Sequence, residues 1–152
     1  MHQAEWTTPI KQAIQQHKNR GGFICIFPDY RPDLFLALAH SLGLASFDYR
    51  HEVMSGYGWD AEQLSLKDLD ASIAECAADT ATVLGNVEAL LSTKHVDACG
   101  RWITGFLERD LSHAIVIPIV INEALVPAPH PRVHRVAASA LPDQTLIDRL
   151  SF

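Results

Sequence analysis

Continuous apolar runs alternate along the chain with segments in which apolar residues recur every three or four positions. Such a run is typical of a strand buried on both faces, whereas the wider spacing is typical of a helix that packs on one side. These runs and two shorter, more polar segments predict five strands, at residues 23–27, 45–50, 80–84, 114–121 and 133–136. The wider spacing predicts helices at residues 7–19, 33–43, 65–77 and 96–109, and a terminal helix that begins at Leu141 and contains Leu146, Ile147 and Leu150.

The alternation of strands and helices predicts an α/β fold, because a helix between two strands carries the chain back for parallel pairing. We expect a three-layer sandwich with a mostly parallel sheet of about five strands. We also expect a single domain over residues 1–152, since no linker divides the chain. The strand at 45–50 is polar enough to lie near a sheet edge. Pro118 predicts a strand end, a bulge or an unpaired edge, since proline has no N–H to donate.

The composition is that of a globular protein, with 48% hydrophobic and 20% charged residues among 152. The net charge of -6 argues against broad attraction to nucleic acid or to an anionic membrane. No apolar run approaches the roughly 18 residues of a membrane span, and the first residues lack the layout of a signal peptide. The odd number of cysteines, without a C-x-x-C pair, favours free thiols, and the scattered histidines argue against a metal site. We therefore expect a cytoplasmic protein.

The loop at residues 28–35, PDYRPDLF, lies where a mononucleotide-binding fold places its phosphate loop, between a buried strand and a helix. Such a loop needs G-x-x-x-x-G-K-[ST], in which glycines let the backbone approach phosphate, lysine supplies charge and a hydroxyl binds Mg²⁺. Here Pro28 and Asp33 replace the glycines, and Leu34 and Phe35 stand at the lysine and hydroxyl positions. The sequence therefore favours a structural turn over nucleotide hydrolysis.

Two charged residues of this loop bear on whether any nucleotide is bound. Asp29 places a negative charge where phosphate would lie. Arg31, together with the positive end of the helix that starts after Pro32, is able to attract an anion. An alternative function therefore remains open, in which the protein binds ATP through Arg31 without hydrolysing it efficiently; no other cofactor is expected.

The third strand leads into Gly85 and Asn86, followed by the run VEALL. This arrangement resembles the second motif of P-loop ATPases, in which an apolar strand ends in an Asp-Glu pair that serves Mg²⁺ and the attacking water. When the two are aligned by that run, Gly85 and Asn86 stand at the acid positions, and neither offers a carboxylate. Glu88 lies within the run, where a structural role is favoured over a catalytic one.

The order of strand, loop and helix, together with the motif at residues 86–91, resembles small P-loop ATPases of the AAA-related group. Among these the chain is most similar to the BrxF-type P-loop protein of bacteriophage-exclusion (BREX) systems, whose motif Asn-[Ile/Val]-Glu-x-Leu-[Leu/Phe] fits residues 86–91. The resemblance implies a P-loop NTPase-like domain that works in phage defence with a protein partner or as a homo-oligomer. The residues assigned to a vestigial nucleotide site are Asp29, Tyr30, Arg31, Asp33 and Asn86.

These features lead to a main hypothesis and a further alternative. The main hypothesis is a non-catalytic P-loop-like subunit or regulator of a bacterial multiprotein system, without a cofactor or a metal. The further alternative is a small enzyme that uses Asp48, His51 and Glu52, which follow the second strand. A solvated charged loop, which also contains Arg50, is favoured over that catalytic set, because neighbouring residues of an extended segment point to opposite faces. Tyr57 and Trp59 are either partner contacts or part of a loop that covers the core.

Overall fold

The computed structural model describes residues 5–142 and contains strands and helices in the predicted order. The strands are β1 (Gly21–Ile26), β2 (Ala45–Asp48), β3 (Thr82–Gly85), β4 (Ala114–Ile119) and β5 (Val133–Arg135). The helices are α1 (Thr8–Gln16), α2 (Pro32–Leu42), α3 (Tyr49–Glu52), α4 (Leu66–Asp79), α5 (Glu88–Leu91) and α6 (Val96–Leu107). Short 3-10 segments lie at Glu5–Thr7, Met54–Gln63, Glu123–Leu125 and Ala138–Ala140. The predicted helical residues Leu146, Ile147 and Leu150 lie outside the described residues.

The five strands form one sheet in the order β2-β3-β4-β1-β5, and every neighbouring pair is parallel. Strand β1 lies inside the sheet, paired with β4 from Gly21↔Ala114 to Ile26↔Ile119 and with β5 on its other side. Strand β2 is at an edge, as its polar sequence predicts. The prediction of an α/β fold with a mostly parallel sheet of about five strands is therefore confirmed.

Helices cover both faces of the sheet, so the core has two halves. Successive residues of β1 point to opposite faces. Phe23 and Cys25 pack in the half that contains α1 and α2, whereas Ile24 and Ile26 pack in the half that contains α4 and α6. All six residues of β1 are buried, which explains its continuous apolar run. Since a fully buried large apolar side chain stabilises a fold by roughly 1.5 to 3 kcal/mol, β1 anchors both halves.

Helix α2, which follows β1, has the predicted residues at both of its ends. Pro32 is its first residue, a position where the missing N–H of proline leaves no hydrogen bond unmade. Gly43 follows its last turn with φ 70° and ψ 30°, the left-handed conformation that commonly ends a helix. The start of α2 is thereby fixed just beyond the carboxyl end of β1.

Strands β2 and β4 end two residues earlier than the sequence predicts, each because a carboxylate binds the following backbone. Strand β2 ends at Asp48, whose carboxylate accepts a hydrogen bond from the His51 N–H at 3.1 Å and starts α3. Strand β4 ends at Ile119, because the N–H of Val120 donates to the Glu88 carboxylate at 2.7 Å. The predicted strand residues 49–50 and 120–121 therefore belong to other segments.

Pro118 is the second-last residue of β4, which is an interior strand. Pairing of β4 with β3 stops at Val83↔Val116, whereas pairing with β1 continues to Ile119. On the β3 side, Pro118 therefore lies beyond the last paired residue, where no partner strand needs its N–H. The predicted strand end is thus found on that side of β4.

The imidazole of His134 in β5 makes stability depend on pH. Its Nε2 is buried without a hydrogen-bond partner among residues 5–142, and burial lowers the pKa of His134 below its ordinary value of 6.5. The unfolded chain therefore takes up a proton at a higher pH than the folded chain does. The resulting stability is present above about pH 6.5 and is lost as the pH falls toward the lowered pKa.

We expect His134→Phe to reduce the loss of unfolding free energy between about pH 7 and about pH 5, by less than about 1 kcal/mol because His134 is only half-buried. Urea unfolding at the two pH values measures the difference. His51→Gln is the matched control, since His51 is exposed. An equal pH dependence in wild type and His134→Phe would show that His134 does not carry the effect.

Candidate functional site

The carboxyl ends of the parallel strands form the edge of the sheet where a site is expected. After β1 the chain enters α2 on one face, whereas the segment after β4, at Glu123–Leu125, packs beside α6 on the other face. The two connections diverge from neighbouring strands, and a crevice opens at such a point in an open α/β sheet. A cavity of about 240 Å³ lies there, between the residues that follow β1, β3 and β4.

Arg31 and Asp33 form a bidentate ion pair in the segment at residues 28–35, where a phosphate loop would lie. Arg31 Nε lies 3.1 Å from Asp33 Oδ1, and Arg31 Nη2 lies 2.8 Å from Asp33 Oδ2. The third nitrogen, Nη1, donates to the carbonyl of Pro142 at 3.0 Å. Such bidentate pairing of arginine with a carboxylate is among the stronger polar contacts in proteins. The guanidinium that the alternative function assigns to phosphate is thus engaged with Asp33.

The Asp33 carboxylate also places a negative charge in the first turn of α2. Hydrogen bonds from Arg31 hold the pKa of Asp33 below its usual range; the charge of Arg31 and the N–H groups of Asp33 and Leu34 act in the same direction, and burial opposes them. The N–H groups of Leu34 and Phe35 point to the Arg31 carbonyl, at 2.9 and 3.3 Å. Pro32 has no N–H at all. The first turn of α2 therefore already has an internal anion and internal acceptors.

Tyr30 and Asn86 come together from two loops that are distant in sequence. The Tyr30 hydroxyl donates to Asn86 Oδ1 at 2.8 Å, and the Tyr30 ring lies edge-on to Phe35, with 5.8 Å between the ring centres. Asn86 has φ 61°, a left-handed conformation that asparagine tolerates better than most residues. Of the five residues predicted for a vestigial nucleotide site, four therefore form two contacting pairs, and Asp29 is exposed beside them.

Glu88 is nearly buried, and its carboxylate binds the segment that follows β4. Its Oε1 accepts from the Val120 N–H at 2.7 Å. Its Oε2 accepts from the Asn122 N–H at 2.7 Å and from Asn122 Nδ2 at 3.0 Å. With three N–H partners, the carboxylate fixes the loop that forms one wall of the cavity. Gly85 and Asn86, which precede it, bring no carboxylate to the end of β3.

Several residues that line the cavity were not predicted as site residues. The cavity is lined by Tyr30, Phe35, Arg50, Asn86, Glu88, Ala89, Ser92, Pro118 and Ile121. Arg50 was assigned to a solvated segment, and Pro118 and Ile121 were assigned only to a strand. One signal in the sequence pointed to them: each lies near the carboxyl end of a predicted strand, where α/β sheets place ligands.

The residues of the hypothetical small enzyme are not brought together. The carboxylate of Asp48 caps α3 by accepting a hydrogen bond from the His51 backbone. The side chains of His51 and Glu52 are exposed. Nucleophilic or acid–base catalysis needs side chains that converge on one reacting position, and this segment does not provide that geometry.

The loop at Met54–Gln63 presents two aromatic side chains to solvent. Trp59 is 99% exposed and Tyr57 is 53% exposed, so neither ring covers the core. Of the two alternatives for these residues, a loop that covers the core is not what the structure shows, because both side chains lie on the surface. Large exposed aromatic side chains are enriched among residues that bind protein partners.

Within residues 5–142, no three His, Cys, Asp or Glu residues are grouped so that they could hold a metal ion. None of the helices in the same part of the chain is long and apolar enough to span a membrane. The fold and the crevice define an α/β protein with a five-stranded parallel sheet. Comparison with protein-family models gives no matching family, and comparison with curated proteins gives no match.

Proposed function

We propose that the chain is a non-catalytic, P-loop-like subunit or regulator of a bacterial multiprotein system. The observation that carries this proposal is the ion pair of Arg31 with Asp33, which engages the cation of the loop and places a carboxylate in the first turn of α2. Phosphate bound there would have to displace a carboxylate that is held by two nitrogens of one guanidinium. Repulsion from that carboxylate would add to the cost.

The residues at the carboxyl end of β3 also argue against nucleotide hydrolysis. Phosphoryl transfer needs a metal-binding carboxylate and a group that orients the attacking water. Gly85 and Asn86 supply neither, and the Glu88 carboxylate is bound by three N–H groups. A chain with this chemistry contributes to a larger assembly through its surface and not through turnover.

A protein partner is the second element of the proposal. The exposed rings of Tyr57 and Trp59 supply an apolar contact of the kind found at binding surfaces. The resemblance of residues 86–91 to the BrxF-type motif suggests phage defence as the setting, and a cytoplasmic location follows from that proposal. A homo-oligomer is the alternative to a separate partner chain.

The test is calorimetric titration of the purified protein with Mg-ATP. We expect no saturable heat, which corresponds to a Kd weaker than about 1 mM. We expect Arg31→Ala to leave this result unchanged, because its guanidinium binds Asp33 instead of phosphate. The matched control is Arg101→Ala, which removes an exposed arginine of α6.

A second candidate function, ATP binding without efficient hydrolysis, makes the opposite prediction. It is favoured by the presence of a cation and a helix start at the correct place, Arg31 and α2. Micromolar binding by the wild type that is lost in Arg31→Ala and kept in Arg101→Ala would overturn the main proposal and establish this one.

A further inference from the structure

The cavity at the carboxyl edge of the sheet is small and has mostly apolar walls. Phe35, Pro118 and Ile121 contribute apolar surface, and the Tyr30 ring stands beside Phe35. Its volume of about 240 Å³ is just below the range of roughly 300 to 1,000 Å³ for drug-sized ligands. The space therefore fits a molecule with a single ring or a branched chain.

Two hydrogen-bond donors at this cavity have no acceptor among residues 5–142. Arg50 is exposed at the cavity and forms no hydrogen bond or ion pair within that range. Asn86 uses its Oδ1 to accept from Tyr30, so its amide N–H groups remain available. The hydroxyl of Ser92, by contrast, donates to the Glu88 carbonyl at 2.7 Å. The cavity thus offers a cation and an amide donor to a ligand that brings acceptor oxygens.

We propose that this cavity binds a small organic carboxylate with a flat apolar body. A guanidinium pairs with a carboxylate through two parallel hydrogen bonds, which also orients the ligand. A single negative charge matches the single cation, Arg50. A phosphoryl group with a charge of about −2 is disfavoured, because Glu88, an acidic residue, is also among those that line the cavity.

This site goes beyond the proposed function and does not depend on it. The carboxylate contacts Arg50 and Asn86. Asn86 is also one of the residues assigned to the vestigial nucleotide site, but the test of nucleotide binding depends on Arg31, which does not line the cavity. Binding of ATP through Arg31 would therefore overturn the proposed function and leave this inference standing. Loss of the carboxylate site would leave the proposed function standing.

The test is titration of the ¹⁵N-labelled protein with benzoate, followed by the amide chemical shifts of the residues around the cavity. We expect saturable shifts at Asn86 and Ile121, with a Kd of about 1 mM, because a ligand this small makes few contacts. Benzamide, which has the same shape without the charge, should bind about tenfold more weakly.

Arg50→Gln should weaken benzoate binding about tenfold and benzamide binding by much less, because benzamide has no charge to pair with the guanidinium. Arg101→Gln is the matched control, because it removes an equal charge from the exposed face of α6. Ile121→Asp is a second variant: Ile121 is 74% exposed, and an added negative charge there should also weaken benzoate binding. The urea midpoint of each variant shows that it is folded.

Three results would overturn the inference. The first is the absence of saturable shifts up to about 20 mM benzoate, well above the expected Kd. The second is equal benzoate affinity in wild type and folded Arg50→Gln. The third is a set of saturable shifts that lies away from Asn86 and Ile121.

Discussion

Replacing Gly22 with alanine is expected to destabilise the protein by about 3 kcal/mol. A methyl group at this position would lie 2.6 Å from the Phe106 carbonyl oxygen and 2.8 Å from two carbons of the Phe106 ring. The ring is able to rotate away only at the expense of packing, and the carbonyl belongs to the backbone of α6. The added methyl group therefore pushes α6 away from β1. Urea unfolding followed by circular dichroism measures the change.

The matched control is Gly105→Ala, one residue before Phe106 in the same helix. No atom lies within 4 Å of a methyl group added at Gly105. Alanine is the better helix former, so this variant should be more stable than the wild type by up to about 1 kcal/mol. A Gly22→Ala protein as stable as the wild type would show that the contact between β1 and α6 is looser than these distances indicate.

Replacing Glu88 with glutamine is expected to destabilise the protein by about 2 kcal/mol, because a charged acceptor of several hydrogen bonds becomes a neutral amide. The glutamine NH₂ group would face either the Val120 N–H or the Asn122 N–H, so one donor would lose its acceptor. The loop after β4 should loosen first. Amide hydrogen exchange should rise at Val120 and Asn122, and the urea midpoint should fall.

Glu75→Gln is the control for this change. Glu75 is an exposed glutamate of α4, so the same chemical substitution should alter the stability by less than about 0.5 kcal/mol. If Glu88→Gln kept the exchange protection of Val120 and Asn122, the carboxylate would not be the group that holds this loop.

The central strand and its helix could be predicted because their signals are local. A strand buried on both faces requires a continuous apolar run, and residues 23–27 provide one. Pro32 and Gly43 mark the ends of α2 through backbone constraints that belong to those residues alone. The order of the strands in the sheet could not be predicted in the same way. It depends on which distant segments pair, and no short-range pattern of the sequence records that choice.

The location of the candidate site could be predicted from the sequence, but the contacts of its side chains could not. The sequence indicated that Tyr30, Arg31, Asp33 and Asn86 belong near the carboxyl ends of strands. Whether Arg31 turns toward a ligand or back to Asp33 depends on side-chain conformation and loop geometry. Arg50 illustrates the same limit: consecutive polar residues after a strand look like a solvated loop, and only the fold shows that one of them reaches the cavity.

The interior position of β1 has a consequence for how the chain folds. Strand β1 is made early, yet its partners β4 and β5 follow about 90 residues or more later in the sequence. Strands that are so far apart in the sequence pair only after a long loop has closed. The entropy cost of that closure comes before any stabilising contact forms, which slows folding. During synthesis, both hydrogen-bonding edges of this buried strand therefore stay unpaired until β4 and β5 have been made. Until β4 emerges, residues 21–27 are therefore an apolar segment with unpaired edges, which is the kind of segment that favours aggregation.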